Sequence, residues 1–96
     1  MKEIRETEGF ARWFENLPDE ISKTRVLLRI RQLSLGNPGD VRAVGAGVSE
    51  LRFHWGPGYR VYFAARGREL IVLLGGGSKR TQRSDIHHAI ELARRI

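Results

Sequence analysis

The chain is predicted to form one α+β domain in which helices flank a small antiparallel sheet, in the order (β)ααβββα. Three observations support this fold class. Apolar residues recur at helical spacing near the start and again near the end of the chain, and they alternate with polar residues in between. A length of 96 residues suits a single domain spanning residues 1–96, because it is enough for one hydrophobic core.

Two helices are predicted in the first part of the chain, after a short strand at Lys2–Arg5. The first helix has apolar residues at positions i, i+3, i+4 and i+7, namely Phe10, Trp13, Phe14 and Leu17. Pro18 ends this helix, and Asp19 is placed to cap the next one. The second helix ends before the turn-forming segment Gly36–Asp40, so the two helices are interpreted as a helical hairpin. Its inward-facing residues are expected to be Ile21, Val26, Leu27, Ile30 and Leu33.

Three strands and a final helix are predicted in the second half of the chain. Val48–Trp55 and Tyr59–Ala64 alternate between apolar and polar residues around a turn at Gly56–Gly58. Leu70–Leu74 is apolar throughout, which is typical of a strand buried on both faces. The final helix begins within residues 79–84, and all helices are expected on one face of the sheet. The apolar stripe of the final helix consists of Ile86, Ala89, Ile90 and Ala93.

The charge distribution indicates a polyanionic partner. The net charge is +6, and 14 of the 17 cationic residues are arginine, whose planar guanidinium suits bidentate phosphate binding. Residues 1–48 carry 8 cations and 7 anions, whereas residues 49–96 carry 9 cations and 4 anions. A basic half-domain of this kind favours nucleic acid as the partner. The alternative is a soluble domain that is basic without binding a polyanion.

Composition excludes several classes of protein. The chain has no cysteine, which excludes disulfides, thiolate zinc sites and cysteine nucleophiles. It has no apolar run of the roughly 20 residues that span a bilayer, and its first residues lack the apolar segment of a signal peptide. We therefore expect a cytoplasmic protein with no membrane partner.

The hairpin predicted between the first two strands places several cations on one face. If the hairpin is symmetric about Pro57, His54 lies opposite Arg60 and Arg52 lies opposite Tyr62, on the face away from the core. An anionic ligand would relieve the repulsion between the two arginines. The alternative is an ordinary solvated polar face.

A glycine-rich segment adds further cations. Gly75–Ser78 is interpreted as a bend whose backbone N–H groups could bind phosphate, and Lys79, Arg80 and Arg83 follow it. The segment lacks the GxxxxGK[ST] and GxGxxG patterns, so no nucleotide cofactor is expected. The alternative is a structural turn followed by exposed cations.

Metal-dependent chemistry is disfavoured by the scarcity of acidic residues. The second half of the chain lacks the paired carboxylates of a two-metal nuclease. His87 and His88 point about 100° apart on a helix and cannot share one tetrahedral site, although Asp85 and His88 could lie on one face. If the protein is a nuclease, we therefore expect it to act without a bound metal, with cationic side chains stabilising the negative charge of a phosphoryl transition state.

Three linked segments carry a specific resemblance. Gly47–Arg52 (GVSELR) is followed by Gly56–Phe63 (GPGYRVYF) and by Leu73–Lys79 (LLGGGSK), with Gln82 and Asp85 beyond them. At these spacings the segments resemble the RelE/ParE superfamily, most closely its HigB-like branch of addiction-module killer proteins. The resemblance covers nearly the whole chain.

The resemblance implies a toxin of a type II toxin–antitoxin pair. RelE-like members cleave mRNA in the ribosomal A site without a metal, through attack of the 2′-hydroxyl on the adjacent phosphate. By position, Arg60 is similar to the sheet arginine that holds the scissile phosphate, and Arg52 to a basic residue with a general-base or electrostatic role. Lys79 and Arg80 are similar to the residues that stabilise the transition state or the leaving group.

The identity of the general base stays open. His87 lies where some RelE-like toxins have a tyrosine, and an arginine is a poor base because its guanidinium keeps its proton at neutral pH. His54 and His87 are therefore the better candidates. Tyr62 and Arg83 are expected to contact RNA.

The implied partners are a cognate antitoxin of the helix-turn-helix, HigA-like type and the ribosome with its mRNA. The toxin–antitoxin complex is also expected to bind operator DNA. Two other functions remain open: a ParE-like poison of DNA gyrase without hydrolytic activity, and a non-toxic co-repressor that acts with its antitoxin.

Overall fold

A five-stranded sheet forms the centre of the molecule, with helices on both of its faces. The computed structural model describes residues 1–96. A single turn of 3-10 helix at Lys79–Thr81 leads into the last helix. In chain order the elements are β1 (Glu3–Glu6), α1 (Glu8–Glu15), α2 (Glu20–Ser34), β2 (Val41–Gly45), β3 (Val48–Arg52), β4 (Tyr59–Arg66), β5 (Leu70–Ser78) and α3 (Gln82–Arg95).

The strand order is β1-β5-β4-β3-β2. The α+β class and the order of the predicted elements are confirmed, but the sheet is mixed rather than wholly antiparallel. β1 runs parallel to β5, and every other neighbouring pair is antiparallel. Parallel neighbours need a long connection, and the chain between β1 and β5 provides one.

The strand β2 has no counterpart among the elements predicted from the sequence. It is short, and four of its five residues are exposed, so it has no apolar alternation to mark it. A tight turn at Ala46 and Gly47 joins it to β3, with φ angles of 53° and 79°. Positive φ at both central residues is the geometry that suits a two-residue hairpin.

The helices lie on both faces of the sheet, so the prediction that they share one face was wrong. α1 and α2 pack on one face around Phe10, Val26 and Leu51, whereas α3 packs on the other face around Ala89 and Ala93. The reason lies in the central strand β4, which is buried on both sides from Tyr59 to Ala64.

Two residues of α2 face solvent rather than the core. Val26, Ile30 and Leu33 are buried as predicted, but Ile21 is 67% exposed and Leu27 is 53% exposed. At 100° per residue, Ile21 and Leu27 lie roughly 90° or more from the centre of the buried stripe. The Asp19 side chain accepts a hydrogen bond of 2.7 Å from the backbone N–H of Ser22 and begins the helix as predicted.

The hairpin between β3 and β4 has a register two residues away from the predicted one. Arg52 pairs with Arg60, and Glu50 pairs with Tyr62. The hairpin is therefore centred on Gly56, which has a φ of 59° that favours glycine. A shift of two residues leaves the side chains within the paired strands on their predicted faces but changes their neighbours. His54 lies beyond the end of β3 and does not keep its predicted face.

The glycine-rich segment belongs to a strand, so its interpretation as a phosphate-binding bend was wrong. β5 continues through Ser78, and Gly75, Gly76 and Gly77 pair with β4. A Cβ on Gly76 would lie 2.3 Å from the indole of Trp13 in α1. A Cβ on Gly77 would lie 1.8 Å from a carboxylate oxygen of Asp85 in α3. These glycines are needed for the close approach of helices to both faces of the strand.

Candidate functional site

A buried carboxylate lies at the centre of the sheet face that α3 covers. Glu50 of β3 has no exposed surface. It accepts hydrogen bonds at Oε2 from the Tyr62 hydroxyl, at 3.0 Å, and from the Gln82 side-chain amide, at 2.8 Å. The Nε of Arg52 lies 3.9 Å from its Oε1, and the Nε of Arg60 lies 3.9 Å from its Oε2. We call Glu50, Arg52, Arg60, Tyr62 and Gln82 the Glu50 cluster.

The cluster has more positive than negative charge. Two guanidinium groups share one carboxylate, and the Nε atoms of Arg52 and Arg60 and the Oε1 of Glu50 are buried without hydrogen-bond partners. Charge attraction at 3.9 Å is the nearest compensation these three atoms receive, and it is stronger here than in water. Asp40 is attracted by Arg52, and Asp85 lies close enough to help raise the pKa of Tyr62. Counted over its own members, the cluster has one positive charge more than it has negative charges, which favours an anion at the exposed edge of Arg52.

The two arginines are brought together, but they differ in accessibility. Arg52 has 29% of its side chain exposed, whereas Arg60 has 4%. The Nη1 of Arg60 donates to the backbone carbonyls of Gly58, at 2.9 Å, and Tyr59, at 3.0 Å. Arg60 therefore fixes the loop between β3 and β4 and is not free at the surface.

Lys79 lies beside the same loop. Its backbone N–H donates to the carbonyl of Pro57 at 3.3 Å. A Cβ added to Gly58 would lie 3.2 Å from the Cβ of Lys79 and 3.5 Å from the Nη1 of Arg60. The backbone of Gly58, which has a φ of 72°, therefore lies between the side chains of Lys79 and Arg60.

Tyr62 is buried beneath α3, which corrects the expectation that it contacts RNA. Burial, reinforced by the neighbouring negative charge of Glu50, raises the pKa of the Tyr62 hydroxyl above its usual range. The hydroxyl therefore stays protonated and donates to Glu50. Its role in the structure is to hold that carboxylate in place.

A second group of predicted residues lines an open groove at the start of α3. Arg80, Arg83 and His87 are exposed. With Thr81 and Ser84 they enclose a volume of about 460 Å³ that no apolar side chain lines. A surface of this composition suits the sugar–phosphate backbone of a nucleic acid.

His54 lies apart from the cationic cluster. It does not face Arg60; it hydrogen-bonds to the carboxylate of Asp40 and borders α2 beside Arg29 and Trp55. The hydrogen bond from His54 lowers the pKa of Asp40. The shift in hairpin register explains why the predicted pairing with Arg60 does not occur.

Glu50 and Gln82 are the members of the cluster that sequence analysis did not identify as functional. The sequence did contain a signal for Glu50. It lies two residues before Arg52, so both side chains are on the same face of the strand, next to the polar residues of the neighbouring strand. Gln82 is one of the residues that carry the family resemblance, but only the packing of α3 on this face brings it to Glu50.

Comparison with known proteins identifies the family. The family described as "Phage derived protein Gp49-like (DUF891)" matches residues 12–96. The chain belongs to this Gp49-like family. It is a family associated with toxin–antitoxin systems. The protein is also 39% identical over 94 residues to an uncharacterized protein of Haemophilus influenzae, and the match covers 98% of this chain and 95% of that relative.

Two further observations bear on the chemistry and location of this Gp49-like protein. No helix is both long and apolar enough to cross a membrane. No group of three or more histidine, aspartate or glutamate side chains is arranged to hold a metal ion. The absence of a metal requirement remains a prediction.

Proposed function

We propose that this protein is the toxin of a toxin–antitoxin pair and acts as a metal-independent endoribonuclease on ribosome-bound mRNA. The observation that carries the proposal is the cross-strand pair of Arg52 and Arg60, whose two charges share the single carboxylate of Glu50. The excess positive charge of the Glu50 cluster lies beside the exposed cation Lys79, and a phosphate group is the anion that such a pair of sites suits.

The proposed reaction is transfer of the phosphoryl group within the RNA strand. A base removes the proton of a 2′-hydroxyl while its oxygen bonds to the adjacent phosphorus. The bond from phosphorus to the 5′-oxygen of the next nucleotide breaks, and that oxygen takes a proton from solvent. The products are a 2′,3′-cyclic phosphate and a free 5′-hydroxyl, and no further reactant is consumed.

The roles of the cations follow from their accessibility. Arg52 and Lys79 can reach a phosphate and stabilise the negative charge that develops on its oxygens. Arg60 is given a positioning role instead of the expected direct contact, because its guanidinium is buried and bonded to loop carbonyls. Arg80 and Arg83 are assigned to the flanking RNA backbone.

His87 is the preferred general base. It is exposed in the groove that also contains Arg80 and Arg83, and histidine is the side chain that most often serves as a general base. His54 is less suitable, because it faces the α2 side of the molecule and is already bonded to Asp40.

The decisive experiment measures cleavage of a translated mRNA by the purified protein, with the cut sites mapped by primer extension. Arg52→Ala and Lys79→Ala should each slow cleavage by about 100-fold, the usual cost of removing one transition-state contact. His87→Gln should slow it by a similar factor. The control Arg95→Ala removes an exposed cation at the far end of α3 and should leave the rate unchanged.

Two outcomes would overturn the proposal. If Arg52→Ala and Lys79→Ala both cleaved mRNA at the wild-type rate, the assignment of these residues to the site would be wrong. Inhibition of DNA gyrase supercoiling without any mRNA cleavage would favour the gyrase poison instead. Protein treated with EDTA and then freed of the chelator should retain full activity, since no resident metal is proposed.

A further inference from the structure

An apolar stripe runs along the outer face of α2. Ile21 and Leu28 lie within the helix, and Leu35 is the residue that caps its end. The three follow one another at intervals of seven residues, and they are 67%, 55% and 57% exposed. At 100° per residue the stripe lies opposite the buried residues Val26 and Ile30, so no part of the chain covers it. Single exposed leucines are common, but an aligned set marks an interaction surface.

The geometry of the stripe suits another helix. Fourteen residues of helix span about 21 Å, which is four turns. A repeat of seven residues is the spacing at which two helices stay in contact along a shared seam. Shallow depressions border the stripe on one side, including one of about 300 Å³ lined by Arg25, Leu28 and Trp55 among others.

The flanks of the stripe carry positive charge. Arg25 lies on one side and Arg31 on the other, and both are exposed. The acidic residue nearest to the stripe along the helix is Glu20, in its first turn. A partner that covers the stripe therefore gains most if acidic residues lie on both sides of its own apolar face.

We propose that the outer face of α2 binds an acidic amphipathic helix of a partner protein. A second copy of the chain is a poorer occupant, because the same arginines would face one another and each copy has a net charge of +6. Nucleic acid is also a poorer occupant, since the centre of the surface is aliphatic. α2 packs on the opposite face of the sheet from the Glu50 cluster, so the proposal does not depend on nuclease activity.

The test uses two synthetic 21-residue helical peptides with leucine at every seventh position. One peptide has glutamate on both flanks of the leucines, and the other has lysine at the same positions. Binding to the full-length protein is measured by calorimetry, and the contact surface by amide chemical shifts. The glutamate peptide should bind and shift the resonances of α2, whereas the lysine peptide should bind at least 10-fold more weakly.

Leu28→Ser and Leu27→Ser form a matched pair of variants. The two leucines are adjacent and similarly exposed, at 55% and 53%, but they point about 100° apart. Leu28→Ser should weaken binding of the glutamate peptide by about 10-fold, the equivalent of one buried leucine. Leu27→Ser should change it by less than twofold. Replacing Arg25 and Arg31 by glutamate should reverse the preference between the peptides.

Several results would overturn the proposal. These are equal binding of the two peptides, no binding of either, or equal effects of Leu27→Ser and Leu28→Ser. Concentration-dependent dimerisation that Leu28→Ser abolishes would instead assign the surface to a second copy. Because no RNA is present, the docking proposal and the proposed nuclease activity can each fail without the other.

Discussion

At the scale of single residues, Glu50 has the largest influence on the candidate site. It is the one carboxylate between Arg52 and Arg60, and it takes hydrogen bonds from Tyr62 and Gln82. A buried charge of this kind is tolerated only when it is paired. Glu50 thus determines where two of the proposed site's cations lie, although it contacts no substrate itself.

Glu50→Gln should destabilise the protein by about 3 kcal/mol, because it keeps the size of the side chain but removes the carboxylate that faces the buried Arg60 and the partly exposed Arg52. The free energy of unfolding, measured in urea, checks this. The control Glu91→Gln removes an exposed partner of Arg94 and should cost less than about 1 kcal/mol. Equal losses in the two variants would show that the buried cluster has no special role.

The helix cap at Asp19 gives a prediction about pH. The backbone N–H of Ser22 holds the pKa of Asp19 below its usual range. The charged cap therefore contributes stability above the unfolded-state pKa, about 3.9, and this contribution is lost as the pH falls through the folded-state pKa.

Asp19→Asn keeps a capping oxygen but cannot titrate. The wild-type protein should be more stable than Asp19→Asn at pH 6, and the difference should shrink as the pH falls below about 4. Urea unfolding of both proteins from pH 6 to pH 2.5 checks this. The other carboxylates titrate in both proteins, so their effects on the difference in unfolding free energy cancel. If that difference did not vary with pH, it could not come from titration of Asp19.

At the scale of elements, two of the three consecutive glycines of β5 allow the helices to approach the sheet from both sides. α1 brings Trp13 against Gly76, and α3 brings Asp85 against Gly77. A Cβ on Gly75 would meet nothing within 4 Å. The contacts with α1 and α3 therefore require glycine at positions 76 and 77 but not at position 75.

Gly76→Ala should lower the free energy of unfolding by about 1–3 kcal/mol, the usual cost of overpacking, because the indole of Trp13 must move. It should also change the fluorescence of the folded protein. Gly75→Ala is the matched control and should be neutral or slightly stabilising. If Gly75→Ala were as damaging as Gly76→Ala, flexibility of the strand and not contact with Trp13 would explain the glycines.

At the scale of the whole molecule, charge and apolar surface are separated by the sheet. The Glu50 cluster lies on the face covered by α3, and the apolar stripe lies on the outer side of α2 beyond the other face. A small domain can in this way present one surface to RNA and another to a protein. The two surfaces should respond differently to salt, since only the first depends mainly on charge.

Replacing Arg80 and Arg83 together by glutamine should weaken binding of single-stranded RNA. It should also reduce the slope of log affinity against log salt by about 1.4, because each phosphate that is no longer neutralised accounts for roughly 0.7. The control replaces Arg94 and Arg95 by glutamine, the same change in charge at the other end of α3. An equal reduction of the slope in both variants would indicate binding by net charge alone.

The sequence by itself determined the α+β class, the capped start of α2 at Asp19, the position of α3 and the concentration of cations in the second half. Each of these depends on local composition or on the spacing of apolar residues, which a single segment contains. Only the tertiary structure decided the pairing of Arg52 with Arg60, the burial of Tyr62, the inclusion of Gly75–Ser78 in a strand and the exposure of Ile21. Each of these depends on which surfaces meet in the folded protein. The apolar stripe of α3 shows that the helix packs against the sheet, but it does not specify which of the two sheet faces the helix covers.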